Sequence, residues 1–582
     1  MAARPQPEVR SLFWADELAA SVDGPQVVND SKTPSGTVHV GSLRGVVLHD
    51  AIRRAVAERG LDVTFRYGVE DLDPMDAQAL LTPDAVEAAM GRPLAHVPAP
   101  AGSDSPNYAR HFAGLFLKTF EGLGIKPELY WMSERYAAGD MDPYIEKALD
   151  RAQVILEIYR TVSTVNHPPD WLPVHVICEN CGKIGTTIAT AWDGKEVTYE
   201  CRPGLVEWAV SCGHRGKVSP FGGRAKLVWN VDWAARWGLV GATIEGCGKD
   251  LATAGGSRDR ADAISRRVFD REPPLNVPYE FLNIGGKKMS TSKGTGAAAH
   301  EIADILPNEL LRFLFIRQKP RRAIEFDPEG DTIPGLFDEF DRICAAVAGR
   351  PFRGELPPSP KRILRLSLVD GAADVAAQAA LYRPAFRHLA LLIQVPGVDI
   401  EERITAEKGA PLDEEERHIL SERTRLARAW LDTFAPDRYR VEVQAELRTE
   451  ALAGITEAQF VFLRSLAAGA EREKPNSGDA WQDLIFRTAQ ERGVPSGDAF
   501  AALYAAFLAR ANGPRAGWLL ASLERGFVVR RLAAAAAATP TAEATPTAAA
   551  PAAEVTPTAD ATPTGAAPAA PAAEATPTEE PT

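Results

Sequence analysis

Three groups of residues have types and spacings suited to chemistry. The first is Pro34-Ser35-Gly36-Thr37-Val38-His39-Val40-Gly41-Ser42, set between an apolar run and a helical pattern. Pro34 and Gly36 favour a turn, and Gly41 lets the backbone approach a ligand closely. A helix opening here would offer unpaired N–H groups to a phosphate. His39 adds a donor for anionic oxygens. The second group is Gly285-Gly286-Lys287-Lys288-Met289-Ser290-Thr291-Ser292-Lys293-Gly294. Its lysines supply charge and its hydroxyls supply directed donors, a combination that can wrap a polyphosphate. The same composition also suits a solvated surface loop.

The third group is a set of cysteines. Of six in the chain, four fall in the 35 residues from 178 to 212: Cys178, Cys181, Cys201 and Cys212. A CxxC knuckle turns two thiolates toward one point, and zinc takes four soft ligands in a tetrahedron. The expected set is these four, with His214 as the substitute for Cys201, and the expected metal is a structural Zn²⁺. A redox-active CxxC is the alternative, but no thioredoxin-like strand–helix context surrounds this one. Cys247 and Cys344 stand alone and read as packed thiols. Reduced cysteines with a metal site fit the cytoplasm.

These groups need elements to hold them. Gln26–Asn29 reads as a strand, Ser42–Arg59 as a helix ended by Gly60, and Asp62–Tyr67 as the next strand. Alternation of this kind over 1–170 suggests βα units on a parallel sheet. Residues 171–230, rich in Cys, Gly and Trp, read as an insertion, and 231–330 return to mixed α/β. From 331 to 532 the spacing is mainly helical, as in Glu415–Phe434, Glu457–Ala468 and Asp498–Ala511. Residues 533–582 are built of Ala, Pro, Thr and a few acids, with TPT recurring from Thr539, Thr545, Thr556, Thr562 and Thr576. This composition predicts a disordered tail.

The chain has 582 residues, 45% of them hydrophobic and 25% charged, in keeping with several globular domains. No uncharged apolar stretch is long enough to span a membrane, and the N-terminal residues show no apolar secretion signal. The formal charge of −13 argues at first against a nucleic-acid partner. Six of those negative units lie in the tail, which leaves 65 basic against 72 acidic groups, or −7, on the body. A nucleic-acid surface needs only a stripe of positive charge, so this total does not forbid one.

Together, His39-Val-Gly-Ser42 and Lys288-Met-Ser-Thr-Ser292 resemble the HIGH and KMSKS signatures of class I aminoacyl-tRNA synthetases. The wording is close to the class I lysyl-tRNA synthetases. PSGTVHVGSLRG, FRYGVEDLDPMD, the cysteine cluster, VDWAARW, EGCGKD, GGSRD, PYEFLNIGGKKMSTSKG, EFDPEGDTIP and NGPRAGW carry the resemblance over about residues 14 to 520. It implies a Rossmann-type catalytic domain with a zinc-binding insertion, followed by an all-helical anticodon-binding domain. The implied reaction is ATP-dependent activation of lysine to the adenylate, with transfer to the terminal adenosine of tRNA(Lys). A glutamyl-type or paralogous synthetase, or a non-catalytic tRNA-binding relative, is the alternative.

By position, the resemblance assigns catalytic roles to His39, Lys288 and Lys293. It assigns ATP contacts to Pro34, Ser35, Gly36, His39, Gly41, Ser42, Lys288, Met289, Ser290, Thr291 and Ser292, with Mg²⁺ sharing the phosphate charge. Lysine needs an acid for its ε-ammonium and a wall for its methylenes. The acids offered are Glu70, Asp71, Asp73 and Glu280; the aromatics are Trp233, Trp237 and Tyr279. Acids after strands also cap helices, and Trp at i, i+4 is usually core. The expected partners are lysine and tRNA(Lys), with no membrane and a monomeric chain. Basic groups on the helical part include Arg317, Lys319, Arg321, Arg322, Lys361, Arg362, Arg365, Arg423, Arg425 and Arg428. Two positions depart from the family pattern: Ser42 replaces the second His of the first signature, and Leu251 stands where a His is expected.

Overall fold

A computed structural model describes residues 12–76, 83–163, 165–284, 287–288, 299, 302–303, 306–395 and 398–538. Two compact units divide between Arg440 and Val441. The first opens with α1 (Trp14–Ala20), β1 (Gln26–Lys32), α2 (Leu43–Glu58) and β2 (Val63–Val69). Gly60, at φ +80°, supplies the left-handed step that ends α2, a conformation costly for any residue with a Cβ. Then come α3 (Pro83–Ala89), α4 (Tyr108–Gly122) and β3 (Glu128–Trp131), followed by α5 (Met132–Ala137), α6 (Asp142–Asp150) and α7 (Ala152–Val162). Asn107 caps α4, its side chain accepting from the Arg110 amide.

Short antiparallel strands fill the Cys-rich stretch: β4 (Val174–Val176), β5 (Thr187–Trp192), β6 (Val197–Cys201), β7 (Arg215–Val218) and β8 (Ala225–Leu227). The α/β pattern resumes with α8 (Trp229–Val240), β9 (Ile244–Gly248), α9 (Ser257–Arg267), β10 (Leu275–Tyr279), β11 (Leu282–Ile284) and β12 (Lys287–Lys288). After α10 (Asn308–Ile316), β13 (Ile324–Phe326) pairs with β11 in parallel.

The main sheet has the order β10-β9-β1-β2-β3 and every pairing in it is parallel. Chain order runs outward from β1 toward β3 on one side, and toward β9 and β10 on the other. The crevice between β1 and β9 is therefore the switch point, where open α/β sheets present ligands at their carboxyl ends. Val28 stands opposite Ile244 across it.

One continuous core joins the sheet to the helices after residue 331. Val28, Val46, Phe65, Phe313, Phe337, Phe386 and Trp430 belong to the same buried cluster. The helical stretch expected as one domain over 331–532 is thus shared. Helices from Thr332–Val347 to Glu414–Thr433 complete the first unit's core, and those from Glu457–Glu473 onward form the second unit. The tail also begins later than composition suggests. The helix Arg525–Ala537 runs through Ala533–Ala537, because alanine has the best helix propensity and Leu532, Ala535 and Ala536 are buried. Residues 539–582 lie outside the described residues.

Candidate active site

The first motif leaves β1 at Thr33 and reaches α2 through one 3₁₀ turn, Val40–Ser42. Buried Val38 and Val40 anchor the loop and leave His39 and Ser42 half-exposed between core and solvent. Pro34 and Gly36 are buried, and the Tyr108 hydroxyl donates to the Ser35 carbonyl at 3.1 Å. The Thr33 hydroxyl donates to Asp73 at 2.5 Å. Arg44, fully inside, donates to the carbonyls of Phe281, Pro320 and Arg322 and ties the start of α2 to the segments flanking β11.

The lysine-rich segment reaches the same place. Asn283 and Ile284 on β11 pair with Lys288 and Lys287 on β12. The amide of Ala299 then donates to the Val38 carbonyl at 3.0 Å. The backbone before and after the KMSTS stretch is thus fixed beside the first loop. Met289, Ser290, Thr291, Ser292 and Lys293 themselves lie outside the described residues.

Carboxylates crowd the ends of the strands, most with a partner in place. Glu70 pairs with buried Arg236. Asp71 accepts from the Ser133 amide at 2.7 Å and hydroxyl at 2.5 Å, although burial still pushes its carboxyl above the ordinary value. Asp73 holds Thr33 with one oxygen and Lys226, 3.0 Å away, with the other. Glu280 pairs with Lys249 at 2.7 Å. Tyr279 closes β10, its hydroxyl and the Asp30 carboxylate both packed against Gly45. A Cβ on Gly45 would meet them at 2.7 and 3.0 Å.

Trp233 and Trp237 take different roles despite their i, i+4 spacing. Trp237 is wholly buried core beneath the Arg258 guanidinium. Trp233 donates its indole N–H to Glu245 at 2.5 Å, and Asn29 donates to the second Glu245 oxygen at 2.5 Å. Tyr130 in turn donates to Asn29 at 2.9 Å. Glu245 is only 2% exposed, and its charge acts on the buried Arg236 and on His49. It spans the crevice between β9 and β1 from within EGCGKD, and sequence reasoning passed over it, as it did Asn29, Asp30 and Arg236. A charged residue within a short apolar strand was the available signal.

Leu251 sits in the turn after β9. Its amide donates to the Gly248 carbonyl at 3.0 Å, its carbonyl accepts from the Arg258 amide at 2.8 Å, and its half-buried side chain joins an apolar cluster. No polar contact is made by that side chain, as its chemistry dictates.

The four cysteines meet. Cys178 and Cys212 sulfurs are 3.6 Å apart, Cys181 and Cys201 sulfurs 3.8 Å, and all four lie within 4.8 Å of one another. The His214 side chain is not part of this group; its ring lies beside that of Tyr199, centroids 6.0 Å apart, and its carbonyl accepts from the Cys201 amide. Cys247 and Cys344 are isolated and buried.

Residues 12–358 match the family model of class I tRNA synthetases (K). The chain belongs to that family. Similar proteins include a lysine–tRNA ligase of Archaeoglobus fulgidus, 34% identical over 90% of this chain and 100% of that one. Another, from Methanosarcina barkeri, is 32% identical over 92% and 99%. A third, from Methanocaldococcus jannaschii, is 31% identical over 89% and 99%. Within this class I synthetase, several basic residues offered for tRNA are already engaged. Arg423 is buried and grips Asp341 at 2.6 and 2.8 Å, and Arg362 pairs with Asp16 and Glu58. Arg365 also reaches Glu58, and Arg317 pairs with Glu339 at 3.1 Å. Among the described residues no helix is long and apolar enough to cross a membrane.

Proposed function

We propose that this synthetase activates lysine with ATP and transfers it to tRNA(Lys). The observation that carries the reading is the junction of the two phosphate-handling segments, Val38 to Ala299, beside the switch point of the sheet. The lysine carboxylate attacks the α-phosphorus of ATP, forming the acyl–phosphate bond as the bond to pyrophosphate breaks. No protein nucleophile is needed, and the residues act by placing donors where charge develops. His39 and the backbone at Gly41 meet the phosphates, with Ser42 at the end of the motif. Lys288 and Lys293 close over the leaving pyrophosphate with Ser290 and Ser292, and Mg²⁺ accompanies the nucleotide. The 2′-hydroxyl of the terminal adenosine then displaces AMP.

Selection of lysine rests on negative charge at the strand ends. Glu70, Asp71, Asp73 and Glu280 are each held by a neighbour, and we assign the substrate ammonium to Glu245, whose oxygens accept from the neutral donors Trp233 and Asn29 and whose charge also acts on Arg236. Trp233 and Tyr279 supply the apolar wall. Glu70 remains close through Arg236, which pairs with it.

The cysteine cluster fits zinc. A zinc–sulfur bond of about 2.3 Å gives a tetrahedral edge of about 3.8 Å, against the 3.6 and 3.8 Å found between paired sulfurs. Cys178, Cys181, Cys201 and Cys212 would hold the ion with no open position, so it would cross-link the short strands and not touch substrate. Helices after residue 331 supply the tRNA surface, and the chain acts as a cytoplasmic monomer.

The test is ATP–pyrophosphate exchange with each of the twenty amino acids. Exchange that depends on lysine supports the reading. Exchange with glutamate assigns a glutamyl-type enzyme, and tRNA binding without exchange assigns a non-catalytic relative.

A further inference from the structure

Lys226 has no role in the reaction described so far, yet it is a buried lysine held between two carboxylates. It is 4% exposed, at the centre of β8, and its ammonium lies 3.0 Å from Asp73 and 3.9 Å from Asp232. A buried ammonium without compensation is costly, so the two carboxylates are what allow it to sit there charged. Burial alone would lower its pKa, but Asp232 and Asp73 outweigh it and hold the group above its ordinary value.

The chain of contacts continues. Asp73 uses one oxygen for Lys226 and the other for the Thr33 hydroxyl, and Thr33 is the residue directly before Pro34-Ser35-Gly36. Asp232 accepts from the Tyr136 hydroxyl at 2.5 Å, which fixes the second carboxylate from α5. On its other side, Lys226 stands in register with His175 on β4, and the Ile177 amide donates to the Arg224 carbonyl, immediately before Cys178. The lysine is therefore carried by the strand pair that leads into the cysteine cluster, and it points into the catalytic half.

We propose that Lys226 is a positioning residue for the phosphate loop: it orients the Asp73 carboxylate, which orients Thr33 at the entrance to Pro34–Ser42. A flexible loop at this point would spend binding energy on its own ordering, whereas a loop fixed in advance does not. In this role Lys226 acts through Asp73 and Thr33 and not on the nucleotide or the amino acid itself. The inference uses the ATP-binding part of the proposed function and is independent of which amino acid is activated.

The test compares full-length wild type with Lys226→Met, Lys226→Arg, Thr33→Val and the double variant Lys226→Met/Thr33→Val. ATP–Mg²⁺ affinity is read by the shift in melting temperature, and kcat and KM are read by pyrophosphate exchange. Lys226→Met is expected to weaken the ATP side about tenfold or more, within the range for coupled neighbours, with KM for the amino acid little changed. Lys226→Arg should recover most of the loss. The double variant should be no worse than the poorer single one, because both act along one path. Undiminished ATP binding in Lys226→Met, or losses that multiply in the double variant, would overturn the proposal. Should Lys226→Met not fold, Thr33→Val, which leaves the buried ion pair intact, must show the ATP defect by itself; normal ATP binding there also overturns it. Wild type that binds ATP but gives no exchange with lysine refutes the lysine assignment and leaves the ATP comparison decisive. Wild type that binds no ATP refutes both.

Discussion

The Ala299 amide donates to the Val38 carbonyl across 3.0 Å, joining residues 261 positions apart. Val38 immediately precedes His39, and Ala299 comes six positions after Lys293. A backbone contact of this kind brings the first loop and the residues after the lysine-rich stretch together, where neither segment alone would enclose a polyphosphate.

Lys288→Ala tests the second segment. Loss of a charge aimed at the leaving pyrophosphate should lower kcat for exchange about 10²–10³-fold while the amino acid binds almost as before. A raised KM for lysine with kcat intact would remove Lys288 from the chemistry.

Glu245→Gln keeps the size of the side chain but removes the charge, and its one amide oxygen can accept from only one of Trp233 and Asn29. Binding of lysine, followed by calorimetry, should weaken about tenfold or more, since hydrogen bonds to charged groups contribute about 1.5–3 kcal/mol, and ATP binding should persist. Equal lysine affinity in both proteins would move the ammonium to another acid.

Metal content gives a third check. Elemental analysis should find one zinc per chain, and Cys178→Ser or strong chelation should lower the melting temperature, because the strands around the cluster are short and depend on a cross-link. A metal-free protein of undiminished stability would exclude the zinc site.

Stability should also depend on an ion cluster far from the chemistry. Asp50, 1% exposed, faces Arg312 at 2.8 Å and Arg54 at 2.8 Å. Burial would raise its carboxyl, but Arg312, Arg54 and Arg53 together hold it below the ordinary 3.8. A depressed carboxylate pKa contributes stability that is present above the unfolded value and is lost as pH falls through the folded one. Denaturant unfolding should therefore show a decline below about pH 4 that Asp50→Asn lacks. At neutral pH that substitution should cost about 3–5 kcal/mol, since it leaves Arg312 buried without its counter-charge. Equal stability of the two proteins at pH 7 would contradict this account.

Much of the architecture was legible in the chain. The strand at Gln26, the helix ended by Gly60 and the strand after it follow from periodicity and one glycine, which act over a few residues. The helices near 415, 457 and 498 were legible for the same reason. The four cysteines could be picked out because a metal knuckle leaves a short-range spacing. The limits of the helical part could not be read this way: the residues that attach its first helices to the catalytic core, such as Phe337 and Trp430, look the same as those of any amphipathic helix.

What the sequence determined by itself was local: which segments are strands and helices, where donors for phosphate lie, and which thiols form a set. The tertiary structure decided which charges are already spoken for. Glu70, Asp71, Asp73 and Glu280 are equivalent acids on the page of the sequence. In the fold each meets Arg236, Ser133, Lys226 or Lys249, while the Glu245 oxygens accept from Trp233 and Asn29 and its charge acts on Arg236 from a distance. The reason is physical. Helix and strand formation depend on near neighbours, but the state of a buried carboxylate depends on whatever group the fold brings within about 3 Å, and most of those partners lie far away in the chain.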